Sequence, residues 1–103
     1  INVKGIAHIT GGGLVENIPR ILPDGCEVEI QKGSWLSLPV FDVMQSIGEV
    51  KEDEMYRAFN MGIGMVFIVN PADMDAVKNA TKNLTEVYEI GSVFSGNKNV
   101  TIT

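Results

Sequence analysis

Three consecutive glycines, Gly11, Gly12 and Gly13, stand where a short β-branched run passes into residues with helical spacing. Such a strand-to-helix junction can bind anions, because backbone N–H groups of glycines converge on a phosphate without a Cβ in the way. The N-terminus of the helix that follows faces the same point. A glycine triplet is also a common turn or a close approach between backbones. The pattern leaves both interpretations open, a phosphate-binding loop and a purely structural turn.

The only histidine lies just before the glycines. The segment from Val3 to Thr10 is typical of a strand in which Ile6, His8 and Thr10 share one face. At this position His8 is either a hydrogen-bond donor to a ligand or a packed histidine whose ring nitrogens are satisfied within the protein. The sequence does not decide between the two.

Polar residues also follow the glycines. Pro19 should keep the helical segment short or kinked, because it removes one hydrogen bond and disfavours α geometry at Ile18. Glu16, Asn17 and Arg20 then project from a compact turn. They form either a solvated face or polar contacts with a ligand over the glycines.

A second glycine motif runs from Phe59 to Val69, where a helix end passes through Gly62 and Gly64 into an apolar strand. It is not a dinucleotide fingerprint, because that fingerprint has its glycines between a strand and a following helix. We expect the two glycines to permit close approach of a backbone or a ligand. Asn60 is the polar group beside them.

Composition limits the class of protein. With 103 residues, 45% of them hydrophobic, the chain forms one domain with a single core. A formal net charge of −5 argues against a nucleic-acid surface, which needs clustered Lys and Arg. No apolar run approaches the roughly eighteen residues that span a bilayer. We therefore expect no nucleic-acid partner and no membrane partner.

The lone cysteine, Cys26, excludes an internal disulfide and fits a reducing compartment, so we expect a cytoplasmic location. The chain opens at Ile1 rather than at methionine, which indicates a processed product or a piece of something longer. Five of the six residues from Glu49 to Glu54 are charged. We interpret them as a helix start, with an Asp53 to Arg57 pair one turn apart, and predict no metal site.

Hydrophobic periodicity predicts the order β-α-β-α-α-β-α-β-β. This order indicates an α/β (α+β) sandwich with a mixed, largely antiparallel sheet and helices packed on it. Trp35 is expected to anchor the core. Strands are predicted over Cys26 to Gln31, Val87 to Phe94 and Val100 to Thr103, the last two as an edge hairpin. The helix that Pro39 opens should turn Val40, Val43, Met44 and Ile47 inward, and the last helix should begin at Asn70 or Pro71.

The two glycine motifs resemble those of a known family. The segment Gly5 to Pro23, Trp35, Pro39 to Phe41, Gly48 and the segment Glu54 to Met65 are together similar to the C-terminal domain of phosphoribosylformylglycinamidine cyclo-ligase, also called aminoimidazole ribonucleotide synthetase. Two long motifs in the right order are far more specific than a glycine triplet. The resemblance covers nearly the whole chain, so residues 1–103 are expected to be most of that C-terminal domain.

The resemblance implies a two-domain, homodimeric enzyme of purine biosynthesis with its active site between the domains. In that family ATP activates the formyl amide oxygen of formylglycinamidine ribonucleotide, the amidine nitrogen attacks, the imidazole ring closes and phosphate leaves. Mg²⁺ assists phosphoryl transfer. The N-terminal ATP-binding and dimerising domain is absent from this sequence, so the piece alone is expected to be inactive.

The resemblance also implies site residues. The loop of Thr10, Gly11, Gly12 and Gly13 would contact phosphate or phosphorylated substrate from the C-terminal side of the cleft. Six further residues would line the cleft or hold its shape: His8, Glu16, Asn17, Asn60, Gly62 and Gly64. No catalytic base and no metal ligand can be assigned, and ATP and Mg²⁺ would be held mainly by the absent domain.

Two other classes stay open. Related enzymes that share this domain include selenophosphate synthetase, thiamine-phosphate kinase and the hydrogenase-maturation carbamoyl dehydratase. The long run from Ile9 to Arg20 favours the cyclo-ligase, and the ending Asn99 to Thr103 lacks the terminal cysteine of the carbamoyl dehydratase. The remaining class is a non-catalytic module that binds a ribonucleotide.

Overall fold

The computed structural model describes residues 1–103. Its elements follow the predicted order. The strands are β1 (Val3–His8), β2 (Cys26–Ile30), β3 (Met65–Val69), β4 (Gly91–Ser95) and β5 (Val100–Ile102). The helices are α1 (Gly13–Asn17), α2 (Pro39–Gly48), α3 (Glu52–Ala58) and α4 (Met74–Thr81), with 3₁₀ turns at Ile18–Ile21 and Pro71–Asp73. The predicted α+β class is confirmed.

The strands are divided between two sheets rather than joined in one. β1 and β3 form an antiparallel pair in which His8 lies opposite Met65. β2 is the centre of the other sheet, with β4 antiparallel on one side and β5 parallel on the other. All three strand pairings join segments from distant parts of the sequence, and two of the three are antiparallel.

The predicted hairpin at the end of the chain is wrong. β4 and β5 are not neighbours, because β2 lies between them. The connecting loop passes around the start of β2, where Gly96 N–H donates to the Gly25 carbonyl and Val28 N–H donates to the Asn99 carbonyl, both at 2.9 Å. These bonds to a third segment direct the chain to the far side of β2. The strand predicted from Val87 is also shorter than expected, since it begins at Gly91.

The core forms around α1 and the strand faces turned toward it. Leu14, Ile18, Ile30 and Met55 are fully buried. Trp35 is the expected core anchor, and its indole N–H donates to the Met61 carbonyl at 3.0 Å. The main cluster consists of Leu14, Ile18, Ile30 and Trp35 together with Ala7, Ile9, Leu22, Val28 and Ile63. Removal of these apolar side chains from water supplies the main stabilisation of the domain.

α1 is short, as Pro19 predicts. The α-helix ends at Asn17, and the chain continues as a 3₁₀ turn with Pro19 in its first turn. The tighter winding avoids the clash between the proline ring and the preceding turn. Ile18 and Leu22 still reach the core, because the turn keeps them on the face that Leu14 occupies.

The prediction that α2 turns its apolar face inward is wrong. Val40, Val43 and Ile47 are 51%, 54% and 81% exposed, only Met44 of the four is half-buried, and α2 has no buried residue. Its attachment is through Phe41, whose ring lies 6.0 Å from the ring of Phe59 at a tilt of 52°. Periodicity identified the apolar stripe correctly, but this chain leaves most of it uncovered.

α3 begins with the acidic turn that the sequence indicates. Glu52, Asp53 and Glu54 occupy its first turn, where negative charge favours the helix dipole. The predicted pair of Asp53 with Arg57 is wrong. Arg57 lies 3.8 Å from Glu54 instead, and the Asp53 carboxylate accepts the N–H of Glu54 at 3.0 Å. The carboxylate thus satisfies one of the free amides at the helix start.

Candidate functional site

The glycine loop adopts backbone conformations that side chains rarely take. Gly12 has a φ of 97° and Gly13 a φ of 64°, both in the left-handed region. A Cβ on Gly13 would overlap the Tyr56 carbonyl oxygen and lie 2.7 Å from that of Phe59. Gly13 is therefore a close backbone approach between α1 and α3. Gly11 differs, because a Cβ there would meet nothing within 4 Å.

Asn17 braces the loop from the protein side. Its side chain is buried, and the amide nitrogen donates to the carbonyls of Thr10 (3.2 Å), Gly11 (3.3 Å) and Gly13 (2.8 Å). The Thr10 hydroxyl donates back to Asn17 Oδ1 at 3.4 Å. Asn17 is therefore neither part of a solvated face nor in direct contact with a ligand, the two interpretations that the sequence left open. Asn17 holds the shape of the loop.

The brace also sets the direction of the loop amides. In a planar trans peptide the carbonyl and the N–H point in opposite directions. Because the Thr10 and Gly11 carbonyls turn toward Asn17, the N–H groups of Gly11 and Gly12 turn away from it. Neither N–H donates to a backbone carbonyl, and Gly11 is exposed. Two amide donors without a backbone partner therefore lie side by side, one at exposed Gly11 and one at half-buried Gly12, and such amides can bind an anion.

The charges beside the loop are of both signs. The Glu16 side chain folds against Gly12, and its Cβ would lie 2.8 Å from a Cβ placed there. Arg20 lies on the next turn, where its guanidinium donates to Asn17 Oδ1 at 3.3 Å. Since α1 has only five residues, its dipole is small, and the loop amides and Arg20 are the main positive groups.

Asn17→Ala should lower the free energy of unfolding by about 1–3 kcal/mol, because three carbonyls each lose one hydrogen bond and the bond to Gly13 is buried. Urea unfolding of the variant against the unaltered protein measures this. Asn83→Ala is the control, since Asn83 is exposed and should change stability by about 0.5 kcal/mol or less. Equal urea midpoints for the two variants would contradict the role of Asn17 in holding the loop.

The second glycine motif lies next to the first. Ile9 N–H donates to the Gly64 carbonyl at 2.9 Å, which joins the end of β1 to the turn before β3. In this turn Asn60 Oδ1 accepts the N–H of Gly62 at 2.8 Å, and Gly62 has a φ of 95°. Asn60 and Gly62 therefore shape the turn. A Cβ on Gly64 would meet nothing within 4 Å, so the contact of Gly64 with Ile9 does not require a glycine.

His8 is exposed on the face of β1 that it shares with Ile6. The interpretation of His8 as a packed histidine is wrong, because the packed face of β1 carries Ala7 and Ile9. The predicted site residues are thus brought to one end of the β1–β3 pair. Thr10, Gly11, His8, Glu16, Gly62 and Gly64 are exposed there, Gly12 and Asn60 are half-buried, and Gly13 and Asn17 are buried.

A charged pocket on the other flank of α1 was not anticipated from the sequence. It has a volume of about 380 Å³ and lies between α1, α3 and β5. The Lys32 ammonium pairs with Glu52 and lies 5.8 Å from the centre of the Tyr56 ring. Burial raises the pKa of Tyr56, and the Glu52 carboxylate adds to this. No local spacing could have indicated the pocket, because Lys32 and Tyr56 belong to distant segments.

The fold and the loop together define a small α+β domain built around a glycine-rich corner. The sequence from residue 1 to residue 103 matches the model of the family described as AIR synthase related protein, C-terminal domain. The chain belongs to this family, as the resemblance of the glycine motifs predicted.

Curated relatives carry the same segment within much longer chains. The phosphoribosylformylglycinamidine cyclo-ligase of Bifidobacterium longum (strain DJO10A) is 52% identical over 92 residues, which are 88% of this chain and 27% of the relative. That of Lachnospira eligens is 48% identical over 103 residues, 99% of this chain and 30% of the relative. The bifunctional purine biosynthetic protein purD of Dictyostelium discoideum is 44% identical over 94 residues, 90% of this chain and 12% of the relative. The chain spans less than a third of each.

Proposed function

We propose that this chain is the C-terminal part of an ATP-dependent cyclo-ligase. The longer protein would convert formylglycinamidine ribonucleotide to aminoimidazole ribonucleotide in purine biosynthesis. One observation carries the proposal, namely about 50% identity over most of the chain to proteins named as this cyclo-ligase. In the ring closure the amidine nitrogen attacks the activated formyl carbon, and phosphate leaves.

The contribution of this chain would be a contact to the substrate phosphate through the loop of Thr10, Gly11, Gly12 and Gly13. Support comes from the Gly11 and Gly12 amides, which face away from Asn17 and donate to no backbone carbonyl. A phosphate oxygen offers such amides charged acceptors, which form the stronger hydrogen bonds. The open space over Gly11 would admit the phosphate.

The other site residues would have two kinds of role. Asn17, Asn60 and Gly62 would hold the two turns in shape through their hydrogen bonds and their left-handed backbone. His8, Glu16 and Gly64 would line the exposed side of the corner. A glutamate beside a phosphate is unfavourable by charge, so Glu16 would face the sugar or amidine part of the substrate rather than the phosphate.

ATP and Mg²⁺ would be held mainly by the rest of the longer protein. No three His, Cys, Asp or Glu side chains of this chain are grouped so that they could hold a metal ion. Mg²⁺ is usually held by one or two carboxylates together with substrate phosphates, so its site would be shared between the nucleotide and the rest of the longer protein. We assign no reaction step of this chain to the metal.

The longer protein is proposed to be a homodimer in the cytoplasm. No helix of this chain combines the length and the apolar character needed to cross a bilayer. The chain alone should show no turnover, because the cleft would need the domain that holds ATP. Its partners would then be formylglycinamidine ribonucleotide and its own N-terminal domain.

The test uses the longer protein with a charge placed in the loop. Gly11→Asp has room for the side chain and needs no left-handed φ, so the fold should be kept. We expect KM for formylglycinamidine ribonucleotide to rise about 10–100-fold, or about 1.4–2.8 kcal/mol, through repulsion of the phosphate. Asn97→Asp adds the same charge in the exposed β4–β5 loop and should leave KM within about twofold.

Two failures are distinguishable. If the unaltered longer protein catalyses no ATP-dependent cyclisation, the assigned function is wrong. If it does, but Gly11→Asp behaves like Asn97→Asp, the function holds and the loop is not the phosphate contact. Binding of the dephosphorylated nucleoside sharpens the second case, because Gly11→Asp should weaken ribonucleotide binding and leave nucleoside binding nearly unchanged.

A further inference from the structure

One face of the β1–β3 pair is apolar and uncovered. We call it the outer face, and it carries Val3, Ile6, His8, Met65 and Phe67. Ile6 lies opposite Phe67 and His8 opposite Met65, so these side chains point the same way. Val3, Ile6, Met65 and Phe67 are 44%, 52%, 52% and 43% exposed. Four large apolar side chains on one face exceed the scattered exposure that is normal for a soluble surface.

The other faces of the two sheets are either packed on the core or polar. The opposite face of β1 packs Ala7 into the core, with Val66 beside it. In the second sheet the face away from the core carries Glu27 and Glu29 opposite Phe94 and Ser92. That face is polar apart from Phe94, as the solvent face of a half-buried sheet usually is. The outer face of β1–β3 lacks this character.

The β1–β3 pair is also incomplete as a sheet. It has only two strands, so each strand has one edge without a strand partner. A two-stranded sheet is marginal unless further structure packs on it. Its inner face is packed on the 3₁₀ turn that follows α1, where Ile21 reaches Gly5. The outer face is the side on which packing is absent.

The occupant follows from what the relatives contain. The cyclo-ligases of Bifidobacterium longum and Lachnospira eligens share only 27–30% of their length with this chain. The family is described as a C-terminal domain, so further polypeptide precedes the matched segment. Such polypeptide would enter at Ile1, two residues before β1 and beside Val3. Tethering at this point gives it a millimolar effective concentration over the outer face, which favours it over a second molecule.

We propose that the outer face is the docking surface for an apolar segment of the polypeptide that precedes residue 1 in the longer protein. The proposal rests on family membership and is independent of the phosphate contact and of the reaction. It assigns Ile6, Met65 and Phe67 to an internal interface. The same interface would place preceding polypeptide beside His8 and thus beside the glycine loop.

Methionine oxidation of the longer protein tests the proposal without altering it. In this chain Met65 is more exposed than Met74, which is half-buried in α4. Exposure alone would therefore make Met65 the faster to form sulfoxide with dilute hydrogen peroxide. If the outer face is covered, mass spectrometry should show Met65 reacting at least tenfold more slowly than Met74. Met65 reacting as fast as Met74, or faster, would overturn the proposal.

Photo-crosslinking identifies the occupant. Phe67 replaced by p-benzoylphenylalanine should crosslink within one molecule to a peptide that precedes residue 1. The same replacement at Phe94 is the matched control, because Phe94 is 44% exposed but lies among Glu27 and Glu29. It should give little such product. A crosslink from position 67 to a second copy, or equal products from both positions, would contradict the assignment.

Discussion

Gly13→Ala is expected to destabilise the protein by about 2–6 kcal/mol, which is a large part of the stability of a typical domain. The added methyl group would overlap the Tyr56 carbonyl and lie 2.7 Å from the Phe59 carbonyl oxygen. It would also hold alanine at a φ of 64°. Overpacking against backbone and a left-handed alanine each cost about 1–3 kcal/mol. α1 and α3 would have to separate.

Gly11→Ala is the matched control for this variant. Gly11 belongs to the same triplet, but its φ is not in the left-handed region and a Cβ would meet nothing within 4 Å. Its free energy of unfolding should change by about 1 kcal/mol or less. Urea unfolding followed by Trp35 fluorescence compares the two. Equal destabilisation by both substitutions would show that the close approach of α1 to α3 is not a constraint.

Met55→Ala should lower the free energy of unfolding by about 2–5 kcal/mol. Met55 is fully buried in α3, the helix that packs against α1. Truncation would remove its transfer free energy and leave a cavity that close-packed neighbours fill only in part.

Leu84→Ala is the control for the cavity, because Leu84 is 83% exposed beyond the end of α4. It should shift the urea midpoint only slightly. If the urea midpoint of Met55→Ala were as close to that of the unaltered protein as the midpoint of Leu84→Ala, the burial of Met55 would be contradicted.

Local patterns predicted the elements well. Pro19 shortened α1, the acidic turn began α3, and the alternation from Cys26 put Val28 and Ile30 in the core. Each of these outcomes depends on neighbours a few residues away. The order of strands and helices was right for the same reason.

Pairings between distant segments were not predictable in this way. Whether β5 pairs with β4 or with β2 depends on loop bonds to Gly25 and Cys26, which no turn signal reports. Likewise the periodicity of α2 showed which face is apolar but not that Val43 and Ile47 stay exposed. An apolar stripe indicates that a helix face favours burial, but the partner that covers this face can lie outside the chain.

The glycine motifs were found from the sequence, but the different role of each glycine was not predicted. Gly12 and Gly13 both need the left-handed region, whereas Gly11 does not. The resemblance placed Asn17 among the residues that line the cleft or hold its shape, but the bonds by which it holds the loop were not predicted, because its three acceptors are backbone carbonyls and leave no mark in residue types. An asparagine four residues after the triplet was the only available signal.

The position of β5 has a consequence for synthesis of the protein. Val28 pairs with Val100 and Ile30 with Ile102, so β2 receives its parallel neighbour from the last residues of the domain. A growing chain cannot complete this sheet before residue 102 has been synthesised, and pairings so distant in sequence form slowly. Until then the edge of β2 that receives β5 has no strand partner, and such an unpaired edge is where a chaperone would engage the chain.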